Sequence, residues 1–285
     1  MLRYPGRVLP FVTMNPKRDA ETFGSDNAFS IMRKAIEDMG FVGVKLYPTM
    51  GHKLEEIAAA HDDHDTFFEF VSNRKLPITM HTSPEMGAKK HRLYCQPDLW
   101  KGYLRDYPGF RINYAHFGGS TCFWPLADKK RKPLHAGWKD RILEMMQDSQ
   151  YGHRVFADVS YHDDLLSNPS KTNRLNNYLQ ELKKILNKTG TRRGVLFGSD
   201  YFLILLEGEE TTFIDRFKAG VSASHFQITS ETNPRRFLGF DDDDGAPNMG
   251  WNIKNFIEKL REAKESNHPA WAQGAPPAQW LNGLL

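Results

Sequence analysis

Three short segments end in residues that can bind a cation or move a proton. Leu76-Pro-Ile-Thr-Met-His81 and Phe110-Arg-Ile-Asn-Tyr-Ala-His116-Phe-Gly-Gly119 each close an apolar run with a histidine, and Arg193-Gly-Val-Leu-Phe-Gly-Ser-Asp200 closes one with an aspartate. A catalytic zinc takes about three nitrogen or oxygen ligands and keeps one position open for water, whose pKa it lowers to near 7. His81, His116 and Asp200 supply the right ligand types, one from each segment. Asp200 could equally act as the general base for that water, or do no more than cap a helix. A single histidine at a strand end is often only a hydrogen-bonded residue. The argument for function is that three such ends recur in one rhythm, as they do at the mouth of a parallel barrel. Gly118 and Gly119, just after His116, let a substrate or another backbone come close.

The elements that must position these residues alternate along the chain. Strands are predicted over 7–13, 41–47, 76–81, 111–116, 154–160 and 194–200. Helices are predicted over 28–39 (closed by Gly40), 53–71, 97–107, 138–147, 174–186 and 209–218. Strand-helix alternation is the mark of a parallel sheet with crossover helices. No Gly-x-Gly-x-x-Gly follows the first strand, and polar residues stand at many strand ends rather than at one switch point. The reading is therefore a TIM (β/α)8 barrel. Six strands leave it two short, and the shortfall falls at the front, so either the chain is incomplete at its N-terminus, the favoured reading, or the protein uses an open six-stranded form. Beyond Asp200 come a short helix ending at Gly239, an acidic turn over Asp241 to Asp244, and an amphipathic helix from Trp251 to Ala263. A barrel domain of residues 1–240 with a helical extension of 241–285 is the expected organisation.

Composition sets outer bounds. The 285 residues are 40% apolar, enough for the core of one barrel. A net charge of +3 with both signs interspersed argues against a nucleic-acid partner, and no apolar run is long enough for a membrane span. The N-terminal residues lack the apolar core of a signal peptide, and Cys95 and Cys122 form no disulfide framework, so a cytoplasmic protein is expected.

Other residues of chemical interest also have simpler readings. Lys45 sits inside an apolar strand in phase with Phe41, Gly43 and Tyr47. It is read as paired with Asp158 or Asp200, the alternative being a carbamylated lysine between two metals. Lys45, Tyr47, Asp158 and His162 are the candidate substrate-binding residues, with Tyr161 beside them. His61-Asp-Asp-His64-Asp has metal-ligand types but reads as a solvated helix face. Lys129-Lys-Arg-Lys132 reads as a surface loop, and the two cysteines lack zinc-thiolate spacing.

Gly43-Val-Lys-Leu-Tyr-Pro48, Thr79-Met-His-Thr-Ser-Pro84, Ala115-His-Phe-Gly-Gly119 and Phe197-Gly-Ser-Asp-Tyr201 resemble successive strand-end motifs of the amidohydrolase superfamily. They are closest to its amidohydrolase-related branch, which includes aminocarboxymuconate-semialdehyde decarboxylase. Asn233-Pro-Arg-Arg-Phe-Leu-Gly239 resembles that branch's closing helix. The resemblance implies a (β/α)8 barrel with one divalent metal, usually Zn2+, and a homodimer. It makes His81 a metal ligand, His116 a ligand or a substrate polariser, and Asp200 a ligand and proton shuttle, so that His116 and Asp200 are the catalytic pair. The family's strand-one His-x-His is absent from the sequence. Three readings follow: a metal-dependent hydrolase of a small-molecule amide, ester or lactone, a non-oxidative decarboxylase of a small carboxylic acid, or a non-catalytic barrel.

Overall fold

The computed structural model describes residues 1–17, 28–83, 89–123, 137–168, 173–242 and 247–285. The basic run Lys129 to Lys132 lies outside these residues. So do parts of the loops 85–96 and 121–135 and of the acidic turn 241–244.

Six strands form one parallel sheet in chain order: β1 (Phe11–Thr13), β2 (Gly43–Leu46), β3 (Pro77–His81), β4 (Arg111–Ala115), β5 (Val155–Asp158) and β6 (Val195–Leu196). Every pairing is parallel. Among the described residues β1 and β6 are not paired with each other, so the sheet is open there. The strands are shorter than the sequence suggested. The strand residue before His116 is Ala115, and His116 itself begins a tight turn.

The two faces of the sheet differ sharply. Val44, Leu46, Ile78, Met80, Ile112, Tyr114, Val155, Ala157 and Val195 enter one large apolar core beneath the crossover helices. Side chains alternate along a strand, so the opposite face carries the residues between them. The register aligns Thr13, Lys45, Thr79 and Asn113 as one polar row across β1 to β4. Two residues further along each strand come Tyr47, His81 and Ala115. Two residues back is Phe11, which stacks on Phe237 at 6.2 Å, while Phe156 meets the same ring at 5.4 Å. Phe237 belongs to the helix Asn233–Leu238 and fills the inner face below the polar row. Arg111 Nε donates to the Phe237 carbonyl at 2.9 Å and ties that helix to β4.

The helices follow the sequence closely at Ala28–Glu37, Trp138–Met146 and Arg174–Leu186. The predicted helix over 53–71 is two helices, Leu54–Ala58 and Phe67–Asn73. The break has a local cause. Arg33 draws Asp62 and Asp65 to 2.6 and 2.7 Å, which pins a turn. Thr66 and Glu69 then form a capping box that starts a new helix. His61 to Asp65 is thus a turn built around an ion pair, not a helix face. Tyr201–Glu207 and Ala223–Gln227 are helices the sequence reading did not assign. Near the C-terminus Trp251–Glu265 packs Ile253, Phe256 and Leu260 against Val42, and Asn252 donates to the Val42 carbonyl at 2.8 Å. No helix among the described residues is long and apolar enough to cross a membrane.

Candidate active site

β3 delivers His81 and the turn after β4 delivers His116, and the two rings meet. His81 Nδ1 lies 3.1 Å from His116 Nε2. Only 2% of His81 and 7% of His116 is exposed, so their protonation is set by the protein around them.

The outer nitrogens fix the tautomers. His81 Nε2 faces the Ser83 carbonyl at 3.0 Å, and a carbonyl only accepts, so that nitrogen carries the proton. His116 Nδ1 faces the Ser160 carbonyl at 3.1 Å and is protonated for the same reason. It also lies 3.0 Å from Ser160 Oγ, whose own proton goes to Asp158 Oδ1, so this hydroxyl too accepts from the ring. In the neutral rings the two inner nitrogens are therefore both bare, with lone pairs facing across 3.1 Å. Burial, then the His116 and Lys45 charges, push the His81 pKa down to about 3, which keeps that ring neutral.

Asp158 organises the other side of His116. Its Oδ1 accepts from the His116 backbone N–H at 3.1 Å, the Ser160 N–H at 3.0 Å and the Ser160 hydroxyl, and its Oδ2 accepts from Asn113 Nδ2 at 2.6 Å. Burial alone would raise its pKa. The His116 charge and these donated bonds outweigh burial and hold the carboxylate below the ordinary range. His162 is fully buried. Its Nε2 donates to the His116 carbonyl at 2.8 Å, and its Nδ1 accepts from the Tyr178 hydroxyl at 2.9 Å. Both its nitrogens bond to the protein, and one of them holds the His116 backbone.

Lys45 and Tyr47 stand beside the pair. The Tyr47 ring stacks on His81 at 5.4 Å, and the Lys45 ammonium sits 4.7 Å over the Tyr47 ring. Burial lowers the Lys45 pKa, and the carboxylates of Asp158 and Asp200 oppose the drop. Both expected charge partners are thus in electrostatic reach. Asp200 follows β6 with φ +57° at the start of Tyr201–Glu207, and its side chain makes no cap bond to that helix.

Backbone strain gathers here. Non-glycine residues seldom adopt positive φ, yet His116 (+65°), Phe117 (+48°), Tyr161 (+53°) and Asp200 (+57°) all do, each just beyond a strand end. Such strain persists where the surroundings over-determine it, and it clusters at functional sites. Gly118 has φ +86°, and a Cβ there would lie 3.0 Å from Trp138 Cβ, so glycine lets the helix Trp138–Met146 pack closely. A cavity of about 230 Å³ opens over the two histidines, lined by His81, His116, Ser120, Tyr161, Asp163 and Arg174 among others.

A divalent metal implied by the resemblance can be tested against this donor set. Two ring nitrogens that share one metal at about 2.1 Å lie roughly 3.0–3.4 Å apart. The observed 3.1 Å falls in that range, and each ring donates its other N–H to a carbonyl, as metal-bound histidines do. The pair thus fits two corners of a metal site. Among the described residues no three His, Cys, Asp or Glu side chains are grouped to hold a metal. Sequence reasoning missed Ser160, Asn113, Tyr178, Asp163 and Arg174. Only Ser160 left a trace, two residues after Asp158 and so on the same face.

The chain is similar to several solved structures. A TIM-barrel protein from Bordetella bronchiseptica is 16% identical, with 74% of this chain and 61% of that one covered and a TM-score of 0.44. A 4-oxalomesaconate hydratase from Rhodopseudomonas palustris is 14% identical, covering 89% and 66%, at 0.46. A dihydroxybenzoic acid decarboxylase from Polaromonas sp., solved with manganese and an inhibitor, is 13% identical, covering 76% and 67%, at 0.40. The chain spans less than two thirds of the Bordetella protein. No curated protein matches it. The model of one family, described as amidohydrolase, matches residues 1–240, and the chain belongs to that family.

Proposed function

We propose that the chain hydrolyses an amide, ester or lactone bond of a small molecule, using a divalent metal, zinc first among them, held by His81 and His116. The observation that carries this reading is the pair of imidazole nitrogens facing each other at 3.1 Å below an open cavity. Membership of the amidohydrolase family supports it. When bound, the metal supplies Lewis-acid polarisation of a substrate oxygen.

The protein's own residues do the rest. The cavity admits the substrate, with Tyr47 and Lys45 beside the histidines to orient it. Asp158 and Ser160 fix the His116 tautomer and aim its Nε2 inward. Asp200, in electrostatic reach of Lys45 and Tyr47, takes the proton from the attacking water and returns it to the leaving group. Asp158 and His162 serve the site from behind.

The test is a panel of small amides, esters, lactones and carboxylic acids with the zinc-supplemented protein. Hydrolysed product pairs that disappear in Asp200→Asn, with the fold retained, support the proposal. Undiminished turnover in that variant rejects Asp200 as proton carrier. Release of CO₂ without hydrolysis would make the chain a decarboxylase in the same fold, and a protein that neither holds metal nor turns anything over would be a non-catalytic barrel.

A further inference from the structure

We infer that His162 and Tyr178 form a buried clamp that positions His116, a role that rests on the proposal that His116 acts in the site. His116 and Phe117 are two consecutive left-handed non-glycine residues, with φ of +65° and +48°. L side chains seldom adopt this conformation unless the surroundings hold it. His116 is gripped on both sides of its peptide units. Its N–H donates to Asp158 Oδ1 at 3.1 Å, and its carbonyl accepts from His162 Nε2 at 2.8 Å. The second grip needs His162 in one tautomer. Tyr178, fully buried on the helix Arg174–Leu186, sets it by facing Nδ1 at 2.9 Å. Burial raises the Tyr178 pKa well above its ordinary value, so the phenol stays a donor and Nδ1 the acceptor. Phe123 closes edge-on over His162 at 5.0 Å and leans on Tyr178 at 5.1 Å, and neither His162 nor Tyr178 has any exposed surface.

The consequence concerns direction. Releasing the His116 carbonyl lets the 116–117 peptide relax toward ordinary φ, and the ring then swings Nε2 away from His81. His162 and Tyr178 are thus positioning residues, acting through His116.

The test compares His162→Phe, His162→Gln and Tyr178→Phe with the wild type, all labelled with ¹⁵N-histidine and freed of metal with chelator. Nitrogen spectra report which ring atom of His116 carries the proton, and titration with Zn²⁺ reports affinity. The clamp predicts that His162→Phe loses the single His116 tautomer and binds Zn²⁺ about 10–100-fold more weakly, while His162→Gln, which keeps a donor, recovers most of both. A wild-type His116 nitrogen pattern in His162→Phe overturns it. If His162→Phe does not fold, Tyr178→Phe decides, because it removes only one hydroxyl: mixed His116 tautomers support the clamp and a single one overturns it. A wild-type protein that binds no Zn²⁺ would defeat the proposed function, and the metal-free spectra would still judge the clamp.

Discussion

Removing the Asp158 carboxylate should damage this protein more than its distance from the cavity suggests. Asp158→Ala strands four buried donors: the backbone N–H groups of His116 and Ser160, the Ser160 hydroxyl and Asn113 Nδ2. An unpaired buried donor costs roughly 1–3 kcal/mol. Even if the serine hydroxyl rotates to another acceptor, three remain, and the loss comes to about 3–9 kcal/mol, much of the 5–15 kcal/mol that holds a typical domain together. Asp158→Asn is a different case. Its carbonyl can stay where Oδ1 was and keep three bonds, while its new amide faces Asn113. Asn113 Oδ1 is buried without a partner, so that side chain can flip and accept from the new amide. What is lost is the charge on three hydrogen bonds, about 1 kcal/mol each, partly offset because no charge is buried any longer. Asn should therefore cost about 1–3 kcal/mol and Ala about 3–9. Urea unfolding followed by tryptophan fluorescence measures both. An alanine variant within 1 kcal/mol of wild type, or an asparagine variant as damaged as alanine, would refute the idea that Asp158 is the acceptor on which His116 and Ser160 depend.

Further outcomes follow from the same geometry. The metal-free fold should weaken in mild acid. It holds His81 and His162 neutral, with pKa values of about 3 and about 4, whereas the unfolded chain protonates both near 6.5. Stability is then lost as the pH falls below about 6.5, by about 4 kcal/mol between pH 7.5 and 5, and a flat profile in denaturant titrations would contradict it. Lys45→Met removes a charge that depresses His81, so the His81 ring should titrate at higher pH by proton NMR. Phe237→Ala opens the packing between Phe11 and Phe156 below the polar row and should cost about 3–5 kcal/mol in urea unfolding.

Most of the fold could be read from apolar runs and their punctuation. Gly40 and Gly239 close helices with φ of +73° and +91°, where glycine was read as a stop. The strand ends carrying His81, His116 and Asp200 were legible because each polar residue interrupts an apolar run. What stayed hidden was the division of the sheet into two faces. Both are buried, so Val44 and Ile78 on one face and Gly43 and Pro77 on the other read as one continuous apolar stretch. The break at His61–Asp65 depends on Arg33, nearly thirty residues away, and no local pattern shows it. Thr66-x-x-Glu69 was the local sign of a new helix start. The supports of His116 were illegible for a similar reason: Asn113, Ser160 and Tyr178 are ordinary residues that meet only in the fold. Asp158 and His162 are read from the sequence as substrate-binding residues, and their bonds to His116 depend on burial that the sequence does not show.

The central claim is that His81 and His116 present two bare nitrogens to a divalent cation. The direct measurement is metal content by elemental mass spectrometry after reconstitution with Zn²⁺ and exhaustive dialysis, on the wild type and His81→Ala. About one metal per chain, lost in the variant while its far-ultraviolet dichroism is unchanged, is the predicted result. A wild type that retains none, or a variant that retains as much, would contradict it.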